Sequence, residues 1–268
     1  MDNSFIGKNL SLIFKGIDYK AHIYLNKEKL GTHENMFTPA EFDVTKKVKF
    51  GTDNELVVLL ENVPSEMSQT GYTSQTKTQK SRFSYKWDFG TRMVNIGLWD
   101  DVLIRVTGKF RLDNTFVSGT VDQSLGIISV STDIRGIPNE KCRVRVSVDY
   151  NDLNITCLER EILFKEDVFL LKEDLEISNP LLWYPNGTGE QPLYKVKIQV
   201  LCGDEESDQC EFYTGIRKLE YRKNEGSTED SLPYTIVVNG KPVYIKGVNL
   251  VPFDLLYGNI TREIYDYY

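Results

Sequence analysis

Apolar and polar residues alternate with a period of two along most of this chain, and no other feature constrains its fold as strongly. The alternation runs in short segments rich in Val, Ile, Tyr, Phe and Thr from Leu12 to about Val251. Successive side chains of a strand point to opposite faces, whereas a helix would show a period of 3.6 residues. Short polar turns separate the segments, as at residues 26–29 between the runs 21–25 and 30–32. The pattern predicts an all-β protein.

The chain is long enough for more than one hydrophobic core, because its 268 residues exceed the ~150 of a typical domain. A strand at residues 101–106 ends at Thr107 and Gly108, which places a boundary near residue 109. A polar linker at residues 223–230 and a hairpin turn at Asn239 and Gly240 begin a third part. Between them, five strands with the spacing of an immunoglobulin-like sandwich are predicted around residues 126–133, 142–150, 155–161, 167–171 and 193–201.

Composition excludes several classes of protein. With 40% hydrophobic, 26% charged and 12% aromatic residues, the chain has the balance of a folded protein rather than a disordered or fibrous one. Its 32 Lys and Arg against 39 Asp and Glu give a net charge of −7, which argues against nucleic acid as a partner. No apolar run approaches the ~18 residues of a spanning helix, and the start lacks the pattern of a signal peptide, so we expect no membrane contact.

Metal-binding patterns are missing from the sequence. Only His22 and His33 could add imidazole ligands, and no two cysteines form a C-x-x-C pair. We therefore predict no metal site, no cofactor and reduced thiols. In an oxidising compartment, two pairs could still form disulfides across neighbouring strands: Cys142 with Cys157, or Cys202 with Cys210.

Residues 84–90, Ser-Tyr-Lys-Trp-Asp-Phe-Gly, form the densest cluster of aromatic and charged groups. A ring such as that of Trp87 stacks on the apolar face of a sugar, and a carboxylate such as that of Asp88 accepts hydrogen bonds from two vicinal hydroxyls. The alternative, which composition alone favours, is an ordinary sandwich core with an exposed acid. Arg82 and Arg92 flank the cluster and could bind a carboxylate, although structural ion pairs are the commoner use of such arginines.

Two later stretches also carry distinctive residues. Residues 179–194 place three prolines and two glycines around Trp183 and Tyr184, which predicts a loop of fixed shape. For this loop, an interdomain brace is favoured over direct ligand contact. Residues 244–254 form an apolar run that ends in polar residues, as at the carboxyl end of a first barrel strand, where sites collect. An ordinary strand and turn is the alternative.

Five stretches, in the same order, resemble motifs of glycoside hydrolase family 2, and most closely those of its β-mannosidase branch. The first two are F-x-G-x-D with I-x-L-N at residues 14–26 and N-M-F with F-D-V at residues 35–44. The third runs from W-D-F-G to G-L-W-D at residues 87–100. The fourth starts with N-P-L-L-W-Y-P-N-G at residue 179 and ends with G-I-R at 217, and the fifth is N-G-K-P-V-Y-I-K-G-V-N at 239–249. Together they cover nearly the whole chain.

This resemblance implies three parts. Residues 1–109 would be a jelly-roll-like sugar-binding sandwich without its first strands, and residues 110–222 an immunoglobulin-like sandwich. Residues 223–268 would be a linker with only the first strand of the catalytic (β/α)8 barrel.

The same resemblance implies the chemistry of the whole enzyme. Members of this branch hydrolyse terminal β-mannosidic bonds with retention, using two glutamates about 5–5.5 Å apart and no metal. Both glutamates lie within the barrel, so we expect no catalytic residue in this chain and no activity from it alone. Three Asn-Glu pairs, the motif of the acid/base residue, precede the barrel and are not expected to be catalytic: Asn54–Glu55, Asn139–Glu140 and Asn224–Glu225.

Substrate contacts also follow from the resemblance. Asp88 is expected to reach the bound sugar, with Trp87 supporting it, while Asn249 and Asp254 help to line the pocket. Two positions depart from the pattern of the branch, where relatives often have tryptophan: Phe89 and Leu250.

The expected partners are a β-mannoside and the barrel of the same protein, and exposed sheet edges invite self-association. The expected compartment is the cytoplasm. Three alternatives stay open: a stand-alone carbohydrate-binding module, a sister β-galactosidase or β-glucuronidase of the same family, and a purely structural pair of sandwiches.

Overall fold

A computed structural model describes residues 1–67, 73–88 and 90–268 of the chain. It divides into two compact units, the first formed by residues 1–106 with 249–268 and the second by residues 107–248. The part that the sequence sets apart after residue 222 is therefore divided between the two units. Strands dominate both, which confirms the all-β prediction.

The first unit has eight strands within the described residues. They form three sheets, with the orders β5-β1-β8, β4-β3-β6 and β2-β7. The pairs β1–β5, β2–β7, β3–β4 and β3–β6 are antiparallel. The strands are β1 (Asn9–Phe14), β2 (Ile17–Asp18), β3 (Lys20–Leu25), β4 (Glu28–Glu34), β5 (Ala40–Asp43), β6 (Leu56–Leu60), β7 (Gly97–Leu98) and β8 (Val102–Thr107).

Two-residue alternation builds the core of this unit. Along β1 and β3, every second residue is buried, and these side chains meet in one apolar cluster with residues of β5. Phe14 at its centre is completely buried and packs edge-on against Phe42, with ring centroids 6.4 Å apart.

Helical turns in the first unit are short. Four 3-10 turns span Asn3–Phe5, Thr73–Gln75, Arg82–Tyr85 and Tyr257–Asn259, and one α-helix, α1, spans Arg262–Tyr267. Within the described residues, no helix is long and apolar enough to cross a membrane.

The second unit has ten strands in three antiparallel sheets, with the orders β13-β10-β9, β12-β11-β14-β15 and β16-β17-β18. The strands are β9 (Arg111–Asp122), β10 (Leu125–Arg135), β11 (Lys141–Tyr150), β12 (Leu153–Leu163), β13 (Val168–Ser178), β14 (Tyr194–Cys202), β15 (Glu205–Thr214), β16 (Leu219–Arg222), β17 (Thr235–Val238) and β18 (Lys241–Val243).

An immunoglobulin-like sandwich forms from the first two of these sheets. Alternate residues of β10 and β13 join alternate residues of β11 and β14 in one buried cluster, which the two sheets enclose. The five strands predicted here from alternation are all present. The hairpin predicted at Asn239 and Gly240 is also confirmed, because both residues have positive φ and join β17 to β18.

One predicted strand does not form. β18 ends at Val243, and residues 244–256, where the sequence predicts the first barrel strand, are described and contain no strand. In a closed barrel, a parallel strand pairs its backbone groups with a strand on each side, and the described residues supply no partner strand at this position. The apolar side chains of Tyr244, Ile245 and Val248 are accordingly exposed.

All four cysteines lie in the described part of the chain, and none forms a disulfide. Strand register keeps the two candidate pairs apart: Cys157 lies opposite Ser147, and Cys210 lies opposite Ile198. Burial raises the pKa of the Cys142 thiol to about 12, so this thiol stays protonated at neutral pH.

Candidate functional site

The loop of residues 77–95 carries the Trp87 and Asp88 pair, and a buried ion pair holds it to the sheets. Lys80 donates to Asp18 at the end of β2, and both side chains are almost fully buried. Lys80 also donates to the carbonyl oxygen of Asn95, at 2.8 Å. Burial raises the pKa of Asp18 and lowers the pKa of Lys80, and each effect is opposed by the partner's charge. The start and end of the loop therefore meet at one charged group inside the unit.

Glu66 forms a second anchor for this loop. Its carboxylate accepts hydrogen bonds from the Thr78 hydroxyl at 2.6 Å, the Lys77 N–H at 3.1 Å and the Arg82 guanidinium at 2.7 Å. Burial by itself would raise the pKa of Glu66, but these donors outweigh it and hold the pKa below its ordinary value.

The two flanking arginines enclose a buried tyrosine. The guanidinium of Arg82 lies 4.4 Å from the centre of the Tyr85 ring and that of Arg92 lies 5.2 Å from it. Arg92 also donates to the carbonyl oxygens of Glu66 and Tyr85, at 3.0 and 3.3 Å. The Tyr85 hydroxyl donates to the carbonyl oxygen of Pro64 at 3.0 Å. Both arginines thus hold the loop together rather than projecting toward a ligand.

Acid should loosen this anchor. Because the folded-state pKa of Glu66 is depressed, its stabilisation is present above pH ~4.5 and is lost as the pH falls through the folded-state pKa. We expect Glu66→Gln to lower local stability by about 1–2 kcal/mol at neutral pH, since hydrogen bonds to a charged group are lost. Amide hydrogen exchange of residues 77–92 should show a difference between variant and parent at pH 7 that shrinks in acid. A difference that does not change with pH would contradict this assignment.

The loop presents Trp87 and Asp88 on a tight turn. The backbone N–H of Trp87 donates to the carbonyl oxygen of Gly90 at 3.2 Å, and the N–H of Gly90 donates back at 3.3 Å. The Trp87 ring is half-buried and lies edge-on to Phe83, with centroids 6.5 Å apart. Asp88 follows it and is exposed. Phe89, the departure noted in the sequence, lies outside the described residues.

The C-terminal segment, residues 249–268, joins the same loop. Asn95 donates from Nδ2 to the carbonyl oxygen of Leu255 at 2.8 Å, and the hydroxyls of Ser81 and Tyr257 are 2.5 Å apart. Asp254 is half-buried, and its Oδ1 accepts from the N–H of Leu256 at 2.8 Å, which fixes the turn between these contacts. The structure thus fastens the Asp254 turn to the loop that carries Asp88.

Asn249 is placed less firmly than Asp254. It is exposed at the first position of the C-terminal segment, and the described hydrogen bonds between that segment and the loop come from residues 255 and 257. Its predicted role in lining a pocket stays a prediction.

Sequence reasoning missed the residues that position the loop. Asp18 closes the F-x-G-x-D motif and Lys80 lies two residues before Arg82, but an ion pair between residues so far apart has no local signal. Trp99, the tryptophan of the G-L-W-D motif, is a further positioning residue, because its indole N–H donates to the carbonyl oxygen of Met36 at 3.0 Å. A Cβ on Gly16 would lie 2.4 Å from this indole, so the glycine of one motif leaves room for the tryptophan of another.

Together, the turn and the C-terminal segment offer an aromatic ring, two carboxylates and an amide, which are the groups that bind a polyhydroxylated ligand. Within the described part of the chain, no three His, Cys, Asp or Glu residues group closely enough to hold a metal ion.

Comparisons with known proteins identify the family of the chain. Residues 2–100 match the family model described as a glycosyl hydrolase 2 galactose-binding domain-like domain, and residues 110–217 match that of glycosyl hydrolases family 2. β-Mannosidase B of Thermothelomyces thermophilus is 26% identical over 97% of this chain and 31% of its own length. A β-galactosidase of Thermoanaerobacter pseudethanolicus is 26% identical over 93% of this chain and 30% of its own length.

Solved structures show the same similarity. The crystal structure of β-D-mannosidase from Dictyoglomus thermophilum covers 98% of this chain with a TM-score of 0.83 and 28% identity. The β-glucuronidase of Bacteroides uniformis covers 100% with a TM-score of 0.74, but at 19% identity it shows the fold alone. The chain spans about a third of the length of these relatives. Its two units correspond to their sugar-binding and immunoglobulin-like N-terminal domains, and the chain belongs to glycoside hydrolase family 2.

Proposed function

We propose that this chain is the non-catalytic N-terminal part of a retaining enzyme that hydrolyses terminal β-D-mannosidic bonds, and that Asp88 supplies a sugar contact to its active site. The observation that carries the proposal is the exposed carboxylate of Asp88 on a turn that a buried ion pair and a second carboxylate anchor hold in place. The mannosidase names of relatives that cover nearly the whole chain support the same substrate class.

Rigid support matters for such a contact. A carboxylate that binds two vicinal hydroxyls must keep its position and angle, and a loop fixed in advance avoids the entropic cost of ordering on binding. Trp87 adds an apolar surface beside Asp88, and the hydrogen bonds from Asn95 and Ser81 hold the Asp254 turn against the same loop. The two glutamates of the reaction would come from the barrel of the complete enzyme.

A sister activity is the second candidate, because one relative of nearly the same similarity is a β-galactosidase. A β-glucuronidase activity is disfavoured by charge. A glucuronide carries a carboxylate, which the carboxylates of Asp88 and Asp254 would repel. We therefore favour a neutral glycoside, and a mannoside over a galactoside because the Trp-Asp-Phe-Gly sequence resembles the mannosidase motif.

The test compares the enzyme that contains this chain and its barrel with an Asp88→Ala variant, using chromogenic β-mannoside, β-galactoside and β-glucuronide. We expect the highest kcat/KM on the mannoside. Asp88→Ala should lower it about 10–150-fold, because hydrogen bonds to a charged group are worth about 1.5–3 kcal/mol.

Asp53→Ala is the matched control, since Asp53 is an exposed acid elsewhere in the same unit. An equal loss in both variants would contradict the role of Asp88, and a higher kcat/KM on the galactoside would move the assignment to the sister activity. Hydrolysis of any of the three glycosides by the 268-residue chain itself would contradict its non-catalytic role.

A further inference from the structure

The loop of residues 179–193, between β13 and β14, has a fixed shape inside the second unit. The N–H of Trp183 donates to the carbonyl oxygen of Ile216 at 2.9 Å, and Asn239 donates from Nδ2 to the carbonyl oxygen of Trp183 at 3.0 Å. The Trp183 ring covers Gly215, where a Cβ would lie 2.7 Å away, and the Arg217 guanidinium lies 4.7 Å from a ring centre. Trp183 is therefore the structural support of this loop.

Residues 184–190, which follow Trp183, are held by hydrogen bonds among themselves. The N–H of Tyr184 donates to the carbonyl oxygen of Glu190 at 2.9 Å, while Thr188 donates to the carbonyl oxygen of Pro185 from its N–H at 3.0 Å and its hydroxyl at 2.7 Å. Gly189 lies against the Tyr184 ring, where any side chain would clash, since a Cβ would sit 2.7 Å from Cγ. The loop is thus set in advance of any ligand.

A cavity of about 640 Å³ opens between this loop and Tyr150 at the end of β11. This is within the range of about 300–1,000 Å³ typical of small-molecule sites. Tyr150 packs against Tyr194 with ring centroids 5.3 Å apart, and the Tyr194 hydroxyl accepts from the N–H of Leu181 at 2.8 Å. These contacts fix the apolar wall of the cavity, which continues over Leu182 and Pro192.

The other wall is polar. Asn186, Glu190 and Gln191 line it, all three exposed, and no hydrogen bond from the described residues occupies their side chains. An amide offers both donors and acceptors and a carboxylate offers acceptors, so the wall can bind several hydroxyl groups at once. A rigid cavity with an apolar wall opposite free amide and carboxylate groups matches a ring that has an apolar C–H face and a rim of hydroxyls.

We propose that this cavity in the immunoglobulin-like unit is a second carbohydrate-binding site, and that it takes a neutral sugar ring. The proposal goes beyond the function given above, because it uses residues of the other unit and requires neither Asp88 nor catalysis. Glu190 is the charged residue among the nine that line the cavity, all of them described, and it disfavours an anionic sugar. The nearby ammonium of Lys241 lies 5.0 Å from the centre of the Tyr184 ring and outside that lining.

Site-resolved NMR titration of the 268-residue chain tests this proposal with methyl β-mannoside, methyl β-glucoside and methyl β-glucuronide as probes. We expect the neutral glycosides to shift the backbone amide signals of residues 181–193. Glu190→Ala with Gln191→Ala should raise the dissociation constant about tenfold, because the hydrogen bonds from two side chains are lost. The glucuronide should have a higher dissociation constant than the glucoside. Glu190→Gln should reduce the ratio of these two dissociation constants.

The matched control is Glu176→Ala with Gln209→Ala, which removes an exposed acid and an exposed amide from β13 and β15 of the same unit. This control and Asp88→Ala should each leave the dissociation constant within about twofold. Absence of shifts in residues 181–193, an equal loss of affinity in the control, or preferred binding of the glucuronide would overturn the proposal.

Discussion

Replacing Lys80 with alanine is expected to lower the free energy of unfolding of the first unit by about 3–5 kcal/mol, because it leaves one half of a buried ion pair without its partner. The side chains of Lys80 and Asp18 are 0% and 4% exposed, so water cannot take over the role of either. The substitution removes the ammonium that donates to Oδ2 of Asp18. The other oxygen, Oδ1, is already buried without a hydrogen bond from the described residues, so the carboxylate would keep no described side-chain partner.

The loss should depend on pH in a defined direction. Burial already raises the pKa of Asp18, and the ammonium of Lys80 opposes that effect, so its removal raises the pKa further. An acid with a raised folded-state pKa binds more protons in the folded state, so stability is highest in acid and falls as the pH rises through that pKa. The Lys80→Ala variant should therefore recover part of its stability between pH 7 and pH 5.

Hydrogen exchange of amides in β1 and β3 measures the effect inside the first unit. Lys15→Ala is the matched control, because Lys15 pairs with Asp101 at 2.8 Å but both side chains are largely exposed, at 43% and 64%. It should cost no more than about 1 kcal/mol. Asp18→Asn with Lys80→Met removes both charges and should restore most of the loss. Equal costs for Lys80→Ala and Lys15→Ala, or no rescue by the double variant, would show that the pair is not the anchor.

The architecture of the chain was predictable because a strand with one buried face shows alternating apolar and polar residues in its own sequence. Along β10 and β11, intermediate and buried positions alternate almost without interruption, and the sequence alternates with them. The sequence pattern predicts no strand at β9 or β15, since β9 has Ser118 and Gly119 near its middle and β15 carries four acidic residues. Pairing with β10 and β14 forms them regardless, which is tertiary context overriding local pattern.

The site was predictable only in part. Trp87 and Asp88 belong to a cluster whose chemistry suits a sugar, but composition alone favours an ordinary core there, and only the resemblance selects the pair. The structure places both residues on one anchored turn. The ion pair that anchors it joins residues 18 and 80, and no periodicity or spacing connects two such positions. The barrel strand expected within residues 244–254 is absent for the opposite reason: its local pattern is clear, but a parallel strand depends on neighbours outside its own segment.

Replacing Phe164 with alanine should lower the free energy of unfolding of the second unit by about 3–5 kcal/mol. Its ring is 1% exposed and stacks on the fully buried ring of Phe110, with centroids 5.3 Å apart and planes at 21°. Gly136 lies close to both rings and has no side chain that could move into the space. The cavity that Phe164→Ala leaves therefore cannot collapse easily. The loss of free energy of unfolding should lie toward the upper end of the range for such a truncation.

Gly136 makes this prediction testable as a pair. A Cβ on Gly136 would lie 2.7 Å from the Phe164 ring and 2.8 Å from the Phe110 ring, so Gly136→Ala alone should cost about 1–3 kcal/mol through overpacking. In the Phe164→Ala background the same methyl group enters the vacated space, and the double variant should be more stable than the sum of the single effects predicts. Hydrogen exchange of β10 and β14 amides measures the stability of the parent, of both single variants and of the double variant. The control is Phe116→Ala, which removes a ring that is 66% exposed. Strict additivity would contradict the argument, because it would mean that the core around Phe164 rearranges freely and that the two sheets are not held by close packing at this point.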